Sequence, residues 1–175
     1  MAFDRAEVLK RIDSVSGVIE RHAGWAEQQG RLHDRALQAL VEAQVPRLFL
    51  PASLGGLEVD PVTCALACEK LAVADTAAAW HVMVFNVARL MAAQWPQALV
   101  ELLWADDPDT LVAASGHTPL QAVPQGDGYL ISGRQRFVSG CDHATWLLSP
   151  VLIDEIPAMA VMPLAECSIE QNWDT

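Results

Sequence analysis

The chain has 175 residues, of which 52% are hydrophobic and 19% charged, and its formal net charge is −11. Such a composition can bury a sizeable core and is not that of a disordered chain. The acidic balance argues against nucleic acid and anionic membrane surfaces as partners, because both require a basic face.

Residues from about Asp4 to Gln29 read as one amphipathic helix. Val8, Ile12, Val15 and Ile19 fall at helical spacing, and Gly30 ends the run. A second helix is expected from His33-Asp34, with Asp34 as its N-cap and Leu37, Leu40 and Val41 facing inward. Proline at position 46 stops it, since proline has no N–H and disfavours helix in the residue before it. Asp60-Pro61 pairs a capping side chain with proline at the first helical position and predicts a helix to about Ala74. Asp75-Thr76 caps the next, residues 76–93, which is apolar almost all round and is therefore expected to be buried. His81, Asn86 and Arg89 interrupt it, so it is no transmembrane span. Pro96 starts a further helix, with Leu99, Leu102, Leu103 and Trp104 predicted to pack inward.

After Asp109 the pattern changes to short extended runs at 110–114, 120–123, 128–131, 134–138, 146–153 and 158–162. Turn residues separate them at the spacing of an antiparallel sheet or barrel. Gly126-Asp127-Gly128 marks a tight hairpin, because glycine and aspartate tolerate positive φ. The expected class is α+β: an α-helical domain over 1–109, then an antiparallel β-barrel-like domain over 110–175. Cys64 and Cys68, four apart on a predicted helix, read as small core residues, and the five histidines show no metal-ligand spacing. The amino terminus lacks the basic-then-apolar order of a secretory signal, so the expected location is cytoplasmic.

Two stretches carry a family resemblance. One is Leu50-Pro51-Ala52-Ser53-Leu54-Gly55-Gly56. The other begins Gly128-Tyr129-Leu130-Ile131-Ser132-Gly133 and continues Arg136-Phe137-Val138-Ser139-Gly140-Cys141-Asp142-His143-Ala144-Thr145-Trp146. Together they resemble the acyl-CoA dehydrogenase superfamily, and the second is similar to its flavin-dependent monooxygenase branch. The dehydrogenase branch carries a Thr-Glu-Pro and Gly-Ser-Asp loop after its first β-strand. Here the chain reads Ser115-Gly116-His117-Thr118-Pro119 instead, which weighs against acyl-CoA as substrate.

The resemblance implies FAD or FMN as cofactor, delivered reduced by a separate flavin reductase, and O2-dependent hydroxylation of a small, aromatic substrate. It implies that Ser139 bonds the flavin edge, that Phe137, Val138 and Gly140 lie along the ring, and that Ser115 lies nearby. His81 is the candidate acid–base residue, with Trp80 and Asn86 beside it facing substrate. Read from the residues alone, Ser139 is better taken as closing a turn and His81 as a hydrogen-bonded core histidine, while Val138 serves equally as sheet core.

Family members continue with a C-terminal four-helix bundle that this sequence lacks. The β-domain is therefore expected to be incomplete, and the chain to be truncated or one part of a split enzyme. Its expected partners are a bundle-supplying chain or further copies of itself. An acyl-CoA dehydrogenase proper and a non-catalytic interaction module remain the alternatives.

Overall fold

The computed structural model describes residues 4–171; the ends of the chain, including the close of the β-domain expected at 172–175, lie outside the described residues. The fold divides into two compact units, one ending at Thr110 and the other spanning Leu111–Glu170.

The first unit is helical: α1 (Arg5–Gln29), α2 (Asp34–Glu42), α3 (Pro61–Ala72), α4 (Thr76–Met91) and α5 (Gln97–Trp104). Its caps follow the local chemistry. Asp4, Asp60 and Asp75 each accept backbone N–H groups of the first turn they precede, and Gly30 closes α1 in the left-handed conformation at φ 66°. The α2 cap differs from expectation. His33 fills it, its Nδ1 accepting the Arg35 N–H at 3.1 Å, and Asp34 is the first helical residue, paired with Arg31.

The core of this unit joins Val8, Ile12, Val15 and Ile19 of α1 to Leu40 of α2, Ala67 and Leu71 of α3, and Ala78 and Val82 of α4. Each large aliphatic side chain fully removed from water contributes about 1.5–3 kcal/mol. The Leu-Pro…Gly-Gly stretch forms a compact loop sewn by backbone bonds, Leu57 N–H to Arg47 O, Glu58 N–H to Leu50 O and Val59 N–H to Leu48 O. Gly56 is obligatory there, because a Cβ would sit 1.8 Å from Leu50 O.

Two expectations for this unit need correction. The α4 helix is not buried all round: Trp80, Leu90 and Met91 are 54%, 46% and 36% exposed. The helix is packed on the side carrying Ala78, Val82, Phe85 and Arg89, and these three side chains lie off that side. Leu102 of α5 is likewise exposed, while Val100, Leu103 and Trp104 turn inward and Leu99 is half-buried.

The second unit is built on one long strand, β4 (Trp146–Ile153). Along its whole length β4 pairs antiparallel with β5 (Ile156–Pro163), through a two-residue turn at Asp154-Glu155, both at positive φ. On its other edge β1 (Val112–Ala114) lies beside residues 146–148 and β2 (Leu120–Gln125) beside 151–153. Both of those pairings are parallel. β3 (Gly128–Ser132) returns antiparallel to β2 across the Gly126-Asp127 hairpin. The antiparallel pattern thus holds for the two hairpins, within a sheet that is mixed.

Residues 134–138, expected to be a strand, are not one. They run as an irregular segment in which Arg136 O accepts the Ser115 hydroxyl and the Gln135 side chain bonds Ser115, Thr118 and Ser149. Among the described residues no helix is long and apolar enough to cross a membrane.

Candidate functional site

Within the sheet unit, the segment expected to face flavin is a loop entered at Gly133. That glycine has φ 132°, a conformation strained for any L side chain, and a Cβ on it would come within 2.8 Å of Leu120 Cδ2, which would have to shift. Phe137 follows at φ 57°, a conformation that costs an aromatic residue energy, and its ring is 54% exposed. The ring lies 5.4 Å from that of His117, tilted by 42°. Val138 turns the other way and packs, half-buried, with Ala113, Leu147 and Leu164.

Ser139 is 9% exposed, and Gly140 takes φ 80°. Gly140 O accepts the His143 and Ala144 N–H groups at 3.1 and 3.0 Å, and Cys141 N–H bonds back to Val138 O. The segment is therefore a closed turn: one aromatic ring projects to solvent, and a buried hydroxyl follows two residues later. Ser115, at the end of β1, continues the ladder through its N–H to Leu148 O. Its hydroxyl is committed to Gln135 Oε1 and Arg136 O at 3.0 and 3.1 Å, so Ser115 supports the turn rather than offering its hydroxyl outward.

A flat, conjugated heterocycle fits this donor set. Phe137 offers an apolar surface, Gly140 lets backbone come close, and Ser139 carries a hydroxyl able to donate or accept. Burial, helped by the neighbouring Asp142 charge, pushes the Cys141 thiol up and keeps it protonated.

In the helical unit, Trp80 is exposed on α4, and His81 next to it is half-buried with its ring tilted against that of Phe85. His81 Nδ1 lies 2.8 Å from Ala77 O, which places a proton on Nδ1; in the neutral ring Nε2 is then the acceptor nitrogen. Asn86 contradicts its expected role. It is 0% exposed, its Nδ2 donating to Val45 O and Val82 O and its Oδ1 accepting the Phe49 N–H. With every polar atom met by backbone, Asn86 fastens α4 to the loop that follows α2 and has its side chain committed to the fold.

No family model matches the chain. The HsaA oxygenase subunit of a flavin-dependent monooxygenase from Mycobacterium tuberculosis is 31% identical over 97% of this chain and 44% of its own length. Indole-3-acetate monooxygenase from Acinetobacter baumannii is 30% identical over 87% of the chain and 41% of its own length. The structure of XiaF from Streptomyces sp., in complex with FADH2 and glycerol, superposes with a TM-score of 0.92 at 25% identity, covering 98% of this chain and 45% of that one.

These homologues and structural neighbours are oxygenase subunits of flavin-dependent monooxygenases with an acyl-CoA dehydrogenase-like fold, and this chain is similar to part of them.

It spans under half the length of the relatives it matches. The sheet turn at Phe137–Gly140 and the α4 flank are two places where described residues place exposed aromatic surface near polar groups. Sequence reasoning passed over Gln135, whose amide reaches Ser115, Thr118 and Ser149; a glutamine between two arginines carries no periodic signal. Cys64 and Cys68 are free thiols packed at the α3 core, as their apolar neighbours suggested. The contact with Cys68, together with burial, keeps Cys64 protonated.

Proposed function

We propose that this chain forms part of a reduced-flavin-dependent monooxygenase, with the Phe137–Gly140 turn as its flavin-facing surface. The reading rests on one observation. In a chain homologous to flavin-dependent monooxygenases, an aromatic residue is held at positive φ with its ring outward, followed by a buried serine and a left-handed glycine. Strain of this kind persists where the surroundings enforce it, and it gathers at ligand sites.

In this reading the flavin, FAD or FMN supplied reduced by a separate reductase, provides the O2 chemistry when bound. The chain's residues bind and orient. Phe137 lies against the ring, Ser139 directs its hydroxyl to the polar edge, Gly140 permits close backbone approach, and Val138 seats the turn in the sheet core. Ser115 acts from behind by holding Arg136 O. On α4, Trp80 offers a stacking surface for an aromatic substrate, and His81 Nε2 accepts a proton from a substrate hydroxyl. The exposed apolar flank of α4 is covered in the working assembly by a partner segment or by another copy of the chain. The enzyme works in the cytoplasm.

The test is an anaerobic titration of the 15N-labelled chain with reduced FMN and reduced FAD, followed by amide chemical shifts. The expected result is a saturable perturbation centred on Phe137, Val138, Ser139 and Gly140. Shifts that avoid those four residues, or no shifts at all, would end the flavin reading.

A further inference from the structure

The core-facing row of β4 reads Leu147, Ser149, Val151. Leu147 belongs to one apolar cluster, with Ala113 and Leu164, and Val151 to another, with Leu120 and Ala122. Between them stands Ser149, a polar side chain that is 0% exposed. On the edge away from β5, β4 has no ladder partner at 149–150, since β1 pairs with 146–148 and β2 only from 151. A buried hydroxyl beside a gap in the ladder needs a bonding partner, or its desolvation goes uncompensated.

Gln135 supplies that partner. Its Nε2 donates to Ser149 Oγ at 2.7 Å and to Thr118 O at 2.8 Å, while its Oε1 accepts the Ser115 hydroxyl at 3.0 Å. Ser149 in turn donates to Pro150 O. One amide thereby joins the end of β1, the connection to β2 and the middle of β4, with both of its donor hydrogens used. Two residues further along the chain, Phe137 stands at φ 57°.

We infer that Gln135 is a positioning residue: its three-way clamp holds the Phe137–Gly140 turn in its strained, ring-outward form and so sets the surface offered to flavin. A left-handed phenylalanine relaxes readily unless both flanks are fixed. The following flank is fixed by the Gly140 turn bonds to His143 and Ala144. The preceding flank runs as no strand, and Ser115 and Gln135 are its anchors. The clamp is a structural assignment, and its bearing on flavin rests on the function proposed above.

The test compares the chain with Gln135→Met, which keeps length and volume but removes both donors and the acceptor, and with Ser149→Ala. Amide hydrogen exchange is read residue by residue. In Gln135→Met the amides of residues 136–140 should exchange at least about tenfold faster, the factor that one hydrogen bond of ordinary net strength represents. The β4–β5 ladder amides should keep their protection. Ser149→Ala should show a smaller change at the same amides, and adding it to Gln135→Met should give little more, because the two share one bond. The His117 ring-proton shifts, which report the nearby Phe137 ring, should move toward solvent-averaged values in Gln135→Met.

Exchange that rises evenly across the sheet would overturn the assignment, as would unchanged exchange at 136–140 or simple additivity of the two substitutions. The same samples are then titrated with reduced flavin, and the variant should need at least severalfold more flavin for half-saturation. A wild-type chain that shows no flavin shifts would sink the flavin reading alone, since the exchange comparison judges the clamp without ligand. Localised loosening without any change in half-saturation would show that the clamp does not set the flavin surface.

Discussion

The Phe49 backbone N–H donates to Asn86 Oδ1 at 3.1 Å, tying the middle of α4 to the loop that begins at Val45. Asn86 Nδ2 donates to Val45 O, so one buried side chain satisfies two backbone groups of that loop. Asn86→Leu should therefore destabilise the helical unit by about 2–4 kcal/mol, as expected when buried backbone groups lose their partners. Urea unfolding followed by tryptophan fluorescence measures it. A loss below about 0.5 kcal/mol, the range of ordinary surface substitutions, would mean that the loop finds other partners.

The Leu50–Gly56 crossing leads to a sharper expectation. A methyl group at position 56 meets backbone at 1.8 Å, and backbone cannot move aside as a flexible side-chain end can. Gly56→Ala should cost at least about 3 kcal/mol and lower the thermal midpoint well beyond Gly116→Ala, where a Cβ meets nothing within 4 Å. Equal midpoints for the two variants would refute the crossing.

An acid-side weakness is built into the junction of α1 and α2. The His22 and His33 rings stack with centroids 4.0 Å apart, and Trp25 meets His33 edge-on at 4.8 Å. Arg31 lies over Trp25 and pairs with Asp34. Desolvation first, then His33, Arg21 and Arg35, lower the His22 pKa from its ordinary 6.5. A lowered histidine pKa means that the unfolded chain takes the proton more readily. This group thus leaves stability untouched well above pH 6.5 and erodes it as pH falls through that value. His33→Asn retains a capping acceptor for α2 and removes one of the neighbours that lower the His22 pKa, so it should shrink the acid loss without abolishing it. Denaturation midpoints between about pH 7.5 and about pH 5.5 test this; an unchanged or steeper loss in the variant would contradict it.

If Ser139 bonds the flavin edge, Ser139→Ala should weaken reduced-flavin binding by about tenfold, the equivalent of one hydrogen bond, with little change in thermal midpoint. A fall in midpoint with unaltered half-saturation would make Ser139 a turn residue only.

Trp80, Leu90 and Met91 together expose a tract of apolar surface on α4. At roughly 25 cal/mol per Å², covering a few hundred square ångströms is worth several kcal/mol. The isolated chain should self-associate in sedimentation at micromolar concentration, and Trp80→Glu should shift it toward monomer. A wild-type chain that stays monomeric would show that this flank tolerates water.

Much of the helical unit was legible in the sequence because caps and stops are local. Asp60-Pro61, Asp75 and Gly30 each set a boundary through their own side chain or its absence. His33 was missed because an imidazole is a less usual cap than the aspartate beside it. In the sheet, the Gly126-Asp127 hairpin and the span of β4 could be read, whereas the partners of β1 could not, since parallel pairing leaves no mark on nearby residues. The error at 134–138 has a clear cause. Alternation and an aromatic residue suggested a strand, but side-chain hydrogen bonds compete with a ladder, and here Ser115 and Gln135 won. Asn86 looked like a polar residue aimed at a ligand because sequence alone cannot say on which side a helix meets its neighbours.

The dependence of β1, β2 and β5 on β4 has a consequence during synthesis. The β2–β3 hairpin can close as soon as it leaves the ribosome, but β1 has no ladder partner until residues 146–148 emerge. Until then the apolar run Leu111–Ala113, later almost wholly enclosed, must wait in an unpaired state open to wrong association. The nascent sheet should therefore be most dependent on chaperones while translation runs from the end of β3 to the end of β4. A ribosome stalled within that interval would hold the chain at its most vulnerable length.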